Sequence, residues 1–248
     1  MIPVKTPGEI ESIRKAGRIV GQTLKMLGGN MRAGITTKEL DEMAEEFIRS
    51  RGAQPAFKGY RGYPASICVS LNEQVVHGIP GGREIREGDL VSVDCGAILD
   101  GFYGDSAFSW FVGEPPEETA RLMETTKRAL EAGIDRMRPG NTVGDISSAV
   151  QRVVEEEGFS VVRDLVGHGI GRQMHEEPQV PNYGREGGGP LIKAGMVFAI
   201  EPMVNTGKHF VKTLDDGWTV VAADGKPSCH FEHTVAATDD GPDVLTLP

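Results

Sequence analysis

The stretch VSVDCGAILDGFYGDSAF, residues 91–108, reads as two β-rich runs hinged on Asp100-Gly101. Asp-Gly tolerates the positive backbone torsions of a two-residue hairpin turn, so the two runs are expected to pair antiparallel. In that register Leu99 faces Phe102, Gly96 faces Asp105 and Asp94 faces Ala107. Asp94 and Asp105 then share one face as diagonal neighbours, ~7–8 Å apart at the backbone. That separation lets two carboxylates bracket a pair of metal ions ~3.5–4 Å apart. Burying a carboxylate is costly unless it is paired, hydrogen-bonded or bound to a metal. A solvent-facing hairpin would carry the same two residues without that cost, so acids elsewhere must decide between the readings.

Two further segments repeat the anomaly. VFAIEPM, residues 197–203, ends an apolar run with Glu201, and Pro202 stops the ladder. HFEHTVAAT, residues 230–238, carries Glu232 in another apolar run. One buried acid can be a satisfied structural residue, whereas four in separate strands repel one another unless cations lie among them. Histidines supply the other ligand type. VGHGIGRQMHEEP, residues 166–178, is glycine-rich around His168 and holds His175, and VVHGIP places His77 where a strand meets a loop. His209, His230 and His233 read as ordinary core or surface histidines, although His230 shares a face with Glu232. An oxygen-rich set with imidazole suits Mn, Fe, Co or Zn in a carboxylate-bridged pair, and the chemistry it implies is hydrolysis.

The chain also echoes itself. MRAGITTKELDEMAEEFIRSRG, residues 31–52, aligns without a gap on MRPGNTVGDISSAVQRVVEEEG, residues 137–158. At nearly the same offset IREGDLVSVD from Ile85 aligns with IKAGMVFAIE from Ile192, which sets Asp94 opposite Glu201. Capping boxes at Thr6–Glu9 and Thr36–Glu39 open two helices, and residues 117–137 and 142–157 form two more. Asp100-Gly101, Asp216-Gly217 and Asp224-Gly225 each predict a hairpin. Together they predict an α+β fold, with helices packed on one face of a curved antiparallel sheet. No Pro/Gly/Ser linker divides residues 1–248, so a single domain is expected.

Composition narrows the function. The chain has 248 residues, 39% of them apolar and 25% charged, which falls in the soluble globular range. A formal net charge of −10 opposes bulk affinity for nucleic acid or an anionic membrane. Three cysteines, Cys68, Cys95 and Cys229, have no CxxC spacing and predict neither a disulfide framework nor a thiolate zinc site. The first residues lack an apolar signal core, and a cytoplasmic location is expected.

From KTPGEIE through GYRGYPASICVSLNEQVVHGIP, DGFYGDSA, GHGIGRQMHEEP, FAIEPM and DGWTVV to FEHTV, the chain resembles the type I methionine aminopeptidases of bacterial form. That resemblance implies the pseudo-two-fold pita-bread fold. It implies metal ligands at Asp94, Asp105, His168, Glu201 and Glu232, holding two divalent ions (Co, Mn, Fe, Ni or Zn), with Asp105 and Glu232 as bridges. It further implies removal of N-terminal methionine before a small second residue, with a metal-held hydroxide as nucleophile and Glu201 as proton shuttle. His175 would meet the developing oxyanion and His77 the scissile nitrogen. Tyr60, Tyr63, Cys68, Met174 and Trp218 would line the methionine pocket; Met174 departs from the phenylalanine common in the family at that position. A monovalent cation is implied near Asn72, Gln74 and Ser228. The implied partners are the N-terminal Met peptides of nascent chains, with transient contact with the ribosome, for a monomer. Other pita-bread hydrolases, the prolidase and aminopeptidase P relatives, usually carry an additional N-terminal domain, and a non-catalytic binding module of this fold would tend to lose metal ligands.

Overall fold

The computed structural model of the chain describes residues 2–248. Its first half runs α1 (Pro7–Asn30), α2 (Thr37–Ser50), β1 (Gln54–Pro55), β2 (Ile67–Leu71), β3 (Gln74–Val76), β4 (Leu90–Leu99) and β5 (Phe102–Phe111). The second half runs α3 (Glu117–Asp135), α4 (Val143–Glu156), β6 (Ser160–Val161), β7 (Gly167–Gly169), β8 (Glu176–Val180) and β9 (Val197–Ile200). It continues with β10 (Met203–Asn205), β11 (Val211–Thr213), β12 (Val220–Ala222), β13 (Ser228–His230), β14 (His233–Thr238) and β15 (Gly241–Val244). Every strand pairing is antiparallel.

The helix starts follow from their sequences. In α1 and α2 the Thr6 and Thr36 hydroxyls accept from the Glu9 and Glu39 amides, and the glutamates accept in return from the threonine amides. The β4–β5 hairpin turns at Asp100 (φ 51°) and Gly101 (φ 79°), and its register is the expected one: Leu99 opposite Phe102, Gly96 opposite Asp105, Asp94 opposite Ala107. Alternation along β4 sends Val91, Val93, Cys95 and Ala97 into a core shared with Val20 and Leu27 of α1 and Leu40 and Ile48 of α2. Asp94 therefore faces away from that core, and its position in a valine-rich strand is no contradiction. A second core joins Leu122, Leu130, Ile146 and Val150 of α3 and α4 to Phe198 and Ile200 of β9 and Val235 of β14.

The repeat is visible in the backbone. The Gly34 amide donates to the Ile85 carbonyl and the Ile85 amide to Ile35. In the second half the Gly140 amide donates to Ile192 and the Ile192 amide to Asn141. Bridges between Thr36 and Glu84 and between Thr142 and Leu191 complete each copy. The two cores are thus built on the same scaffold, each presenting one strand, β4 or β9, whose acid reaches the centre.

Two expectations fail. Asp224-Gly225 does not join a hairpin: β12 pairs with β3 and β11, whereas β13 pairs with β10. The Asp224 carboxylate accepts from the Lys208 and Lys226 amides and secures a crossing loop instead. Glu232 does not lie inside a strand but in the two-residue break, Phe231-Glu232, between β13 and β14. Asp216-Gly217 does lie in a hairpin connection, the one between β11 and β12. Among the described residues, no helix is long and apolar enough to cross a membrane.

Candidate metal centre

Both breaks in the second half serve the site. β9 ends at Ile200, Glu201-Pro202 interrupts the ladder, and β10 resumes at Met203 in another sheet. Opposite it, Phe231-Glu232 separates β13 from β14, with the Phe231 amide donating to Pro202. Each break frees an acidic side chain from the strand alternation. Around them, backbones are fixed by side chains. Asn182 Nδ2 donates to the Glu201 carbonyl at 3.0 Å, and Ser106 Oγ donates to the Glu232 carbonyl at 2.5 Å. Thr234 Oγ1 donates to the Asp105 carbonyl at 2.7 Å.

The twelve metal, catalytic and methionine-pocket positions expected from the sequence line one cavity of about 160 Å³, with Phe57 and Arg61 as additional walls, whereas Asn72, Gln74 and Ser228 lie outside its lining. The acids and His168 form its floor. The ligand atoms of Asp105, His168 and Glu232 lie within 4.8 Å of one another, and Glu201 Oε1 is 3.6 Å from His168 Nε2. Asp94 sits beside Asp105, on the diagonal of the β4–β5 ladder. A larger cavity of about 730 Å³ adjoins this one through Arg61, His168 and His175. It also carries two internally neutralised ion pairs, Lys5 with Glu176 and Arg172 with Glu9.

The electrostatics are those of a site built for cations. Burial pushes Asp94 up to about 7. Burial also holds Asp105, Glu201 and Glu232 well above the carboxylate range, and their mutual repulsion adds to it. Asp94 Oδ1, Asp105 Oδ1 and Glu232 Oε1 are sealed from solvent without any hydrogen-bond partner. Such orphaned oxygens are costly to bury and are what a bound ion would satisfy. His168 gives the same sign. Its Nδ1 lies 3.0 Å from the Gly169 carbonyl, which can only accept, so the proton of the neutral ring is on Nδ1. Nε2 then turns a bare lone pair toward Glu201 and, at 4.0 Å, Asp105 Oδ2. Two carboxylates and a lone pair facing one another repel; a divalent cation between them converts the cluster into a ligand set, and the donor chemistry fits it.

Above the floor, His175 Nδ1 lies 2.8 Å from the Tyr60 hydroxyl, and its ring is centred 4.3 Å from that of His168. Burial, followed by the Arg61 charge, lowers the pKa of His175, and burial lowers that of His77. His77 adopts φ 59°, in the left-handed region where non-glycine residues are strained and tend to serve a site. Tyr63, Cys68, Met174 and Phe57 make one apolar cluster, flanked by Tyr60 and Trp218. Asn72 and Ser228 are backbone neighbours: the Ser228 amide donates to the Asn72 carbonyl at 2.9 Å, while Gln74 Oε1 accepts from the Leu71 amide.

Sequence reasoning missed three neighbours, Phe57, Arg61 and Asn182, and placed a fourth, His230, near the site without giving it a role. Asn182 acts through its side chain on a distant carbonyl, and Arg61 reaches the cavity from a left-handed backbone (φ 49°) between two glycines. Neither leaves a spacing signal. His230 did have one, its shared face with Glu232, and the structure brings its Nε2 to 3.9 Å from Glu201 Oε2.

Comparison with known proteins gives the same assignment. The signature of metallopeptidase family M24 matches residues 11–239. The chain is 56% identical to a methionine aminopeptidase of Clostridium perfringens, over 100% of this chain and 99% of that protein. It is 52% identical to methionine aminopeptidase 1 of Bacillus subtilis, over 99% of each. The crystal structure of methionine aminopeptidase from Rickettsia prowazekii superposes with a TM-score of 0.98 at 41% identity, covering 100% of both chains. The curved, duplicated α+β architecture is therefore the pita-bread fold, and the chain belongs to metallopeptidase family M24 and, within it, to the methionine aminopeptidases.

Proposed function

We propose that this metal-dependent peptidase removes the N-terminal methionine of peptides and nascent chains whose second residue is small, with Glu201 carrying the proton. The observation that supports this most directly is the composition of a single cavity. Its floor holds four carboxylates and an imidazole, and its wall is the apolar cluster of Tyr63, Cys68 and Met174 with Trp218. An acidic floor suits a free α-amino group, and a narrow apolar wall with a thioether in it suits an unbranched thioether side chain.

Asp94, Asp105, His168, Glu201 and Glu232 would hold the metal. Four ionised carboxylates beside a neutral imidazole match the charge of two divalent ions, which is our reading of the number. When bound, such ions act as Lewis acids and bring the pKa of a coordinated water toward neutrality.

The chain's own residues divide the remaining tasks. Glu201 opens to the cavity, with 14% of its side chain exposed, and would accept the proton of the attacking water and return it to the departing amine. With the Tyr60 hydroxyl as donor to His175 Nδ1, the His175 proton would lie on Nε2, where it would meet the carbonyl oxygen as negative charge develops. His77 would contact the scissile nitrogen. Tyr63 meets Trp218 edge-on with ring centres 5.1 Å apart, which stiffens the pocket that seats the methionine.

The test is hydrolysis of Met-Gly-X and Met-Leu-X peptides by protein loaded separately with Mn, Fe, Co, Ni or Zn. Methionine release from Met-Gly-X, with little from Met-Leu-X, is expected. No release with any of these metals would sink the proposal, and equal release from both peptides would remove its small-residue part.

A further inference from the structure

The five proposed ligands leave one buried group of the site without a task. Four side-chain atoms beside the cavity are sealed from solvent with no hydrogen-bond partner, and three of them are carboxylate oxygens that a metal would satisfy. The fourth is His230 Nε2. His230 is 2% exposed, and at the end of β13 it cannot drift. Ser109 Oγ donates to its carbonyl at 2.7 Å and accepts from its amide at 3.3 Å, and its backbone pairs with Met203 across β10. That pairing sets it two residues beyond Glu201 along the facing segment. Glu201 is consequently flanked by two imidazoles: Oε1 faces His168 Nε2 at 3.6 Å, and Oε2 faces His230 Nε2 at 3.9 Å.

The two contacts are chemically unlike. The His168 proton is committed to the Gly169 carbonyl, so that ring offers Glu201 no hydrogen bond. His230 Nε2 has no competing acceptor. At 3.9 Å the pair is a small carboxylate rotation from bonding distance, and hydrogen bonds of catalytic groups are commonly long before the site is loaded.

We propose that His230 is a positioning residue that donates Nε2–H to Glu201 Oε2, fixing the plane of that carboxylate so that Oε1 stays directed at the metal centre. The proposal rests on Glu201 being a ligand. Groups that orient a metal ligand typically change metal affinity roughly 10- to 100-fold when removed. A merely structural histidine predicts something different, since a leucine of similar size would fill the same buried space without touching the metal.

The experiment is calorimetric titration of Mn2+ into the metal-stripped chain, with wild type compared to H230L, H230Q, E201Q and E201Q/H230L, and kcat and KM measured alongside. H230L is expected to weaken Mn2+ binding roughly 10- to 100-fold and to lower kcat with little change in KM. H230Q, which keeps an N–H donor, should restore most of both. In the E201Q background H230L should cost no further affinity. Wild-type Mn2+ affinity in H230L, failure of H230Q to restore it, or an undiminished effect in E201Q would each overturn the proposal. If E201Q itself leaves Mn2+ affinity unchanged, the ligand assignment has failed, and that result is separable from the others. Should H230L not fold, H230M supplies the same comparison with a more adaptable apolar chain.

Discussion

Asp94 concentrates the conflict between folding and metal binding. In the metal-free chain, burial raises its carboxyl from 3.8 to about 7. Between those values the folded chain holds a proton that the unfolded chain has released. The stability contributed by the group is therefore full below about 4 and is lost as pH rises through about 7. Asparagine cannot ionise. Metal-stripped D94N should gain on the metal-stripped wild type as pH rises from ~5 to ~8, measured as the difference in urea unfolding free energy. With Mn2+ present the order should reverse, because a proposed ligand has been removed. A gap that does not change with pH in the metal-free proteins would contradict the account. Residues like Asp94 are legible in sequence because an acid in a valine-rich strand is a local contradiction. For His230 the sequence offers only nearness, through its shared face with Glu232, and no role. Its proposed role depends on how the break at Glu201-Pro202 meets the one at Phe231-Glu232, and the second is revealed only by the assembled chain.

At the scale of elements, α1 lies directly on β5 because two glycines meet there. A Cβ on Gly104 would come within 2.5 Å of the Gly17 amide nitrogen, and a Cβ on Gly17 within 2.5 Å of the Leu245 carbonyl oxygen. Helix propensity alone says that Gly17→Ala stabilises by ~1 kcal/mol. The packing says otherwise, since neighbouring backbone cannot yield, and a net loss of ~1–3 kcal/mol is expected. Gly29 on the same helix has open space around its would-be Cβ, and Gly29→Ala should stabilise by ~0.5–1 kcal/mol. Opposite shifts of the urea midpoint would confirm the pair, whereas stabilisation by both would refute the close-packed account of α1. The same contrast explains which elements were legible. Capping boxes and the Asp100-Gly101 turn act within a few residues, so α1, α2 and the β4–β5 hairpin follow from local chemistry. Asp224-Gly225 carries the same local signal, yet the chain crosses to another sheet there. Its outcome is set by the long-range pairing of β12 with β3 and of β13 with β10.

At the scale of the whole molecule, the duplication is what makes the metal centre structural as well as chemical. Asp94 and Asp105 come from the first half, while His168, Glu201 and Glu232 come from the second. Each half builds most of one core, and the acids of both line a single cavity, the seam where the halves meet. Without cations that seam gathers repelling carboxylates; with them it becomes a cross-link between the halves. Metal should therefore raise the stability of the entire fold. For a ligand that binds only the folded chain, a hundredfold excess over Kd contributes ~2.7 kcal/mol. In a chain of this length that corresponds to a Tm increase of roughly 5–11 °C. Differential scanning calorimetry with and without Mn2+ should show one transition moving upward as a unit. In D105N the increment should shrink sharply, since a group central to the cluster is lost, while the metal-free Tm should rise because asparagine avoids the cost of burying a carboxyl that must take up a proton on folding. If Mn2+ shifted only part of the transition and left the remainder in place, the halves would be uncoupled through the metal, and the cross-link account would fail.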